Sequence, residues 1–243
     1  MNTASAPHIP RPRSLQAPPA PLDLDPLRFR LTLLTIVLNV GVVAALTRYS
    51  GSDWKTGLAL NGFDLLLLGG FAIRRRDRFL KHLLGFGLVL GMTELAADAW
   101  LVDGTRTLDY SSGGGPMLWR SPVWMPLAWL VVAVQFAVMG ERLRRWRPGW
   151  GVLLTALLGA VNIPYYEEMA RRIHWWEYSN CRMLSGTPYY IILGEFFIAG
   201  GIALLVDWVR RLEAGRTFLA GLIGGGLIFA SYAFAYGVTD RLW

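Results

Sequence analysis

The chain has 243 residues, of which 53% are hydrophobic and only 17% charged, and it carries a net charge of +7. A water-soluble domain holds nearer a quarter of its residues as charges, so an ordinary soluble fold is excluded. The basic residues sit in short clusters between apolar blocks, which excludes a nucleic-acid surface and points to a membrane protein setting its orientation.

Residues 1–26 contain seven prolines together with Arg11 and Arg13. They read as a disordered cytoplasmic tail ahead of a single domain over residues 27–243. No cleavage site of small residues follows an apolar run, so the tail is not a secretory signal. Apolar blocks then fall at roughly 29–48, 55–73, 80–102, 122–141, 149–170, 187–208 and 216–239. Each approaches the length that crosses a hydrocarbon core of about 30 Å at about 1.5 Å per residue. The expected fold is an all-α polytopic transmembrane helix bundle with about seven spans. Block two carries Asn61 and Asp64 and is expected to be the weakest span, tilted or half-buried in the bundle. Thr105–Arg120, with Gly113-Gly114-Gly115-Pro116, reads as a loop, and Arg171–Thr187 as the longest polar connection after the tail. The single cysteine, Cys181, rules out an internal disulfide.

The tail, the two joints after blocks two and four, and the joint between six and seven hold 16 of the 24 basic residues. The positive-inside bias places these regions in the cytoplasm, and seven spans then leave the C-terminus outside. The expected setting is the inner membrane of a bacterial-type cell, crossed many times. Tyr and Trp crowd the opposite border, from Tyr49 and Trp54 to Trp175, Trp176 and Tyr190. A belt at the interface would load both borders, so the asymmetry suggests a substrate mouth on the far side.

An ionisable residue within a span is costly and is a functional hypothesis by default. Glu94 and Asp98 lie four apart on one face of block three, a face shared with Gly87 and Gly91. Asp98 is expected roughly 6 Å and Glu94 roughly 12 Å below the outer border; Glu195 of block six reaches roughly 10 Å from the opposite chain direction. Block five adds Asn162, Pro164, Tyr166, Glu167 and Glu168, and block seven adds Tyr232 and Tyr236. No Lys or Arg lies at that depth, so the carboxyls are expected to be protonated, to share protons or to bind a metal ion. Glu94, Asp98 and Glu195 are the candidate catalytic residues. Asn162, Tyr166, Glu167, Trp176, Tyr190, Tyr232 and Tyr236 are the candidate substrate-binding residues. Three histidines are too few for a His-rich zinc site. No metal ligand and no cofactor is assigned, and a divalent metal among the carboxylates stays open. The bland alternative for the acids is a structural hydrogen-bond network.

The segments Pro164-Tyr165-Tyr166-Glu167-Glu168, Trp175-Trp176-Glu177-Tyr178, Gly186-Thr187-Pro188 and Gly194-Glu195 resemble bacterial membrane proteins of carotenoid biosynthesis, including carotenoid hydratases and heterodimeric lycopene cyclases. They also look like the small seven-span terpene cyclases of meroterpenoid pathways. The lycopene cyclase pattern has a Pro-x-Glu-Glu run, whereas two tyrosines separate Pro164 from Glu167 here. The resemblance implies acid-initiated chemistry on C=C bonds or epoxides, with acids near Glu167 and Glu195 taking part. The expected partners are a lipid-soluble small molecule and membrane lipids, with the oligomeric state left open. The leading expectation is an isoprenoid cyclase, hydratase or isomerase. The alternatives are a small proton-coupled transporter or lipid carrier and a non-catalytic subunit of a membrane complex.

Overall fold

A computed structural model describes residues 23–49 and 52–241. The expected disordered tail lies outside the described residues, apart from its last four positions. Seven long helices follow one another: α1 (Asp25–Leu46), α2 (Trp54–Arg74), α3 (Arg78–Ala99), α4 (Met125–Trp146), α5 (Gly151–Arg172), α6 (Tyr189–Val209) and α7 (Ala214–Tyr236). Their starts follow from the local sequence. Pro26 and Pro126 occupy the first turns of α1 and α4, where a missing N–H costs nothing. Asp53 and Asp77 cap α2 and α3 by accepting from the backbone N–H groups of Lys55 and Leu80 at 2.9 and 3.0 Å.

Six of these helices are long and apolar enough to cross a membrane. The exception is α5 and not α2, the span expected to be weakest: α5 is 22 residues long and less apolar because Asn162, Glu167 and Glu168 interrupt it, whereas α2 qualifies despite Asn61 and Asp64. It packs between α4 and α6 and completes the bundle. The protein is therefore an all-α polytopic membrane bundle. Its lipid-facing surface is apolar, with Leu66 and Val161 each 75% exposed.

Glycines set the closest helix contacts. A Cβ at Gly91 would meet the Pro126 carbonyl oxygen at 2.3 Å, and one at Gly87 would meet the Leu130 carbonyl oxygen at 2.8 Å. Thus the Gly87–Gly91 face of α3 is pressed backbone to backbone against α4. At the far border Gly115, with φ +85°, turns the chain over the Trp54 ring, and a Cβ there would lie 2.2 Å from it.

The two ends of the bundle differ. At the end holding the start of α1, Arg28 donates to Asp77 at 2.9 and 3.0 Å. Arg144 pairs with Asp207 at 2.7 Å, and Arg145 and Arg210 both pair with Glu141. Arg145 also reaches Asp25. Several residues of the sequence's basic clusters thus lock α1, α3, α4 and α6 together. At the other end the two polar connections are not plain loops. A π-helical turn (Trp100–Thr105) leads into β1 (Leu108–Asp109), which pairs antiparallel with β4 (Glu177–Tyr178). Two small hairpins, β2 (Met117–Leu118) with β3 (Ser121–Pro122) and β5 (Met183–Leu184) with β6 (Thr187–Pro188), finish a cap over the bundle.

Candidate functional site

Beneath this cap lies a cavity of about 310 Å³, at the lower end of the usual range for small-molecule sites. Its roof is aromatic. The rings of Trp124 and Trp175 stand 5.1 Å apart, and Trp176 lies 6.1 Å from each. The Trp175 indole N–H donates to the Asp53 carbonyl at 3.1 Å and pins the roof to the start of α2. Below the roof the walls are mainly apolar, from Val43 and Leu60 through Ala128 and Val132 to Phe136 and Met139. Met125 and Met139 both line it, a drop of about 20 Å along α4. The cavity reaches the lipid-facing surface on α5, where the lining residues Leu158 and Asn162 are exposed. Beside that mouth the Tyr165 hydroxyl donates to the Val40 carbonyl of α1 at 2.6 Å and clasps α5 to α1.

Three carboxyls from three helices line the cavity: Asp98 of α3, Glu167 of α5 and Glu195 of α6. All are buried, at 4%, 5% and 4% exposure. Their hydrogen-bond donors are neutral. The Asp98 Oδ2 accepts from the Tyr110 hydroxyl at 2.6 Å and from the Ser121 hydroxyl at 2.7 Å. Glu167 accepts from the Trp176 indole at 2.5 Å and, more weakly, from the Tyr178 hydroxyl at 3.3 Å. The Glu195 Oε1 accepts from the Tyr232 hydroxyl at 2.7 Å. Among the described residues that line the cavity there is no Lys, Arg or His. Burial, with the Asp98 and Glu94 carboxyls nearby, holds the Tyr110 phenol well above its ordinary pKa range. Burial and Glu167 do the same for Tyr178. Both phenols therefore stay protonated and remain donors.

The fourth acid, Glu94, does not reach the cavity. It is fully buried behind the wall and interacts with the Asp98 carboxyl, the Trp129 indole and, through space, Glu195. None of these contacts reaches good hydrogen-bond geometry at either Glu94 oxygen. Of the two acids of α3, Asp98 lines the cavity. Glu94 thus stands beside Asp98 but off the cavity.

Of the other residues expected to bind substrate, Asn162, Tyr166, Trp176 and Tyr232 line the cavity. Tyr190 and Tyr236 do not. Tyr190 is fully buried, exchanges a hydrogen bond with Thr107 at 2.7 Å and packs edge-on against Tyr178, Tyr232 and Tyr236. It supports the ring that holds Glu195 rather than the cavity itself. The adjacent acids of α5 divide in the same way: Glu167 faces in, whereas Glu168 pairs with Arg171 and Arg172 at 3.0 and 2.7 Å near the border. Among the described residues no group of three or more His, Cys, Asp or Glu side chains is arranged to hold a metal ion.

Sequence reasoning missed Trp124, Trp129, Gln135 and Asn39, which all line the cavity. Asn39 left a signal, as the one amide inside the otherwise apolar middle of block one. The tryptophans at the start of α4 look like ordinary border aromatics until the cap folds over them.

The sequence profile of one family, described as a domain of unknown function (DUF6989), matches residues 95–239. This is more than half of the chain, and the chain belongs to that family. The matched stretch holds all three cavity carboxyls and omits α1 and α2. No curated protein and no solved structure matches the chain.

Proposed function

We propose that this member of the DUF6989 family is an integral membrane enzyme performing acid-initiated cyclisation, hydration or isomerisation on an isoprenoid drawn from the bilayer. One observation carries the reading: Asp98, Glu167 and Glu195 converge on an apolar cavity that opens toward lipid and has no basic residue among the described residues of its lining. Burying three acids without cations is a costly way to pack helices. A carboxyl that keeps its proton in such a place is a general acid at neutral pH.

The hydrogen bonds divide the roles. Asp98 takes two O–H donors on one oxygen, which suits the ionised, proton-accepting partner. Glu195 takes one and keeps its second oxygen for a proton. Glu195 delivers that proton to an alkene carbon or epoxide oxygen, and the C=C electron pair or the breaking C–O bond leaves a carbocation. The faces of Trp124, Trp175 and Trp176 stabilise the cation. Loss of a proton from the adjacent carbon to Asp98, or capture of water and loss of an O–H proton from the resulting oxonium to Asp98, closes the cycle. The proton then returns to Glu195, so the sequence is neutral in protons. Glu94 lies behind Asp98 as a positioning residue. We place the basic end of the bundle in the cytoplasm of a bacterial-type cell and the roofed cavity in the outer half of its inner membrane.

The test is a comparison of lipid extracts by mass spectrometry from cells with and without the protein. A changed isoprenoid pool supports the enzyme. An unchanged pool with altered uptake of an isoprenoid supports a proton-coupled carrier and overturns it.

A further inference from the structure

A second part of the cavity lining is polar in a different way. The buried residues of α1 are Arg28, Thr32, Thr35, Asn39 and Val43, and those of α2 are Gly57, Asn61, Asp64, Leu68 and Ala72. Both helices therefore turn a polar stripe inward and an apolar face to lipid. Asn39 and Asn61 line the cavity together with Gln135 of α4. Two of these amides already spend an N–H within the protein. Asn61 Nδ2 donates to the Gly57 carbonyl at 2.9 Å, and Gln135 Nε2 donates to the Thr35 hydroxyl at 3.2 Å. The Asn39 amide lies against the Asp64 carboxyl, although neither Asp64 oxygen reaches a hydrogen bond of good geometry.

What remains unsatisfied here is acceptors. Asn39 Oδ1 and both Asp64 oxygens are buried with no hydrogen-bond partner among the described residues, and the two residues are 7% and 0% exposed. A buried acceptor left alone is unfavourable. The Asp64 carboxyl beside the amide draws its NH2 group, which leaves the Asn39 carbonyl as the unpartnered atom of a residue that lines the cavity. A group that completes this site must bring a donor. An anionic head is ruled out by Asp64 and by a described lining that holds no Lys, Arg or His.

We propose that Asn39, Asn61 and Gln135 form a hydroxyl-binding subsite that holds the O–H of a neutral isoprenoid alcohol or phenol on Asn39 Oδ1. Asp64, behind the wall, is the positioning residue that fixes the Asn39 amide. The substrate then spans the cavity, with its hydroxyl on the α1–α2–α4 wall and its reacting double bond toward the carboxyls. This rests on the reading of the cavity as the substrate site. It does not depend on the chemistry assigned to the acids, because the test reads binding alone.

The experiment compares farnesol with farnesyl methyl ether, which keeps the oxygen and loses the donor. Binding to the full chain in lipid nanodiscs is followed by the emission of the tryptophans around the cavity. Farnesol should bind about tenfold more tightly than the ether, the order expected for one buried hydrogen bond. Asn39→Leu should bring the two ligands to equal affinity by weakening farnesol alone. Asp64→Asn, which keeps the shape, should shrink the preference as well by freeing the Asn39 amide to turn, and it stands as the second readout should the leucine variant fold poorly. Equal affinities in the unaltered protein, no binding of either ligand, or an undiminished preference in both variants would overturn the subsite. A farnesol preference beside an unchanged cellular lipid pool would leave the subsite standing and refute only the acid chemistry.

Discussion

Gly194 and Tyr232 meet across the α6–α7 contact so closely that a Cβ on Gly194 would lie 2.3 Å from the Tyr232 ring. The missing side chain lets the ring lie flat on α6, and its hydroxyl then reaches the next residue along, Glu195, at 2.7 Å. Two substitutions probe one hydrogen bond. Tyr232→Phe should leave the bundle folded and lower turnover by about tenfold or more, in line with losing one buried hydrogen bond to a reacting group. Gly194→Ala should lower turnover similarly by displacing the ring, and should also reduce thermal stability in detergent. Full activity in both variants would detach Tyr232 from the mechanism.

The α3–α4 contact predicts a contrast among glycines. Gly91→Ala places a methyl group against backbone at 2.3 Å, which a packed interface cannot yield to cheaply. The loss should be at least about 2 kcal/mol, read as a lower unfolding temperature in detergent. A Cβ at Gly70 of α2 would meet nothing within 4 Å. Gly70→Ala should therefore be neutral or stabilising by up to about 1 kcal/mol, from helix propensity alone.

At the basic end, Asp77 does two jobs that can be separated. It caps α3 and it neutralises the buried Arg28, whose side chain is 7% exposed. Asp77→Asn keeps the cap and removes the charge, so it should cost about 3 kcal/mol, the lower end for breaking a buried pair, because Asp25 still reaches Arg28 at 2.6 Å. Asp77→Ala should cost about 1 kcal/mol more through loss of the cap. Chemical or thermal unfolding of the two variants in one detergent gives both numbers.

How much of this was legible in the chain follows from the physics of each signal. The helices were plain, because a span must be apolar over its whole length and the blocks at 29–48 and 80–102 could be little else. Weaker α5 was also readable as an apolar block that Asn162, Pro164 and Glu167 interrupt, and of these three Glu167 is the buried one. Asp98, Glu167 and Glu195 announced themselves as acids where acids are expensive. The direction of Glu94 did not, because one face of a helix is wide enough to send residues four apart to different neighbours. Tyr190 was misplaced for the same reason: its aromatic character fits a cavity wall and a supporting ring equally well. The cap of short strands was invisible, since two-residue pairings such as Leu108 with Tyr178 leave no period to read.

The orientation can be tested without any substrate. The basic clusters gather at the end of the bundle where α1 begins, and the positive-inside bias puts that end in the cytoplasm. A reporter active only outside the cytoplasm should work when fused after Trp243 and fail when fused after Arg145. The reverse pattern would invert the bundle and move the cavity to the inner half of the membrane.

In the proposed reaction the cavity acids move protons to and from a substrate. Glu195→Gln tests it most directly, because glutamine keeps the shape and can still accept from Tyr232 but cannot deliver the proton. Turnover of isoprenoid in cells, followed by mass spectrometry, is to be measured beside the unfolding temperature of the purified variant. Product formation should be abolished while the protein stays folded, with stability unchanged or raised, since a neutral amide is easier to bury than a carboxylate. Product formation at the level of the unaltered protein, in a variant that is equally or more stable, would contradict it and leave Glu195 as a structural residue.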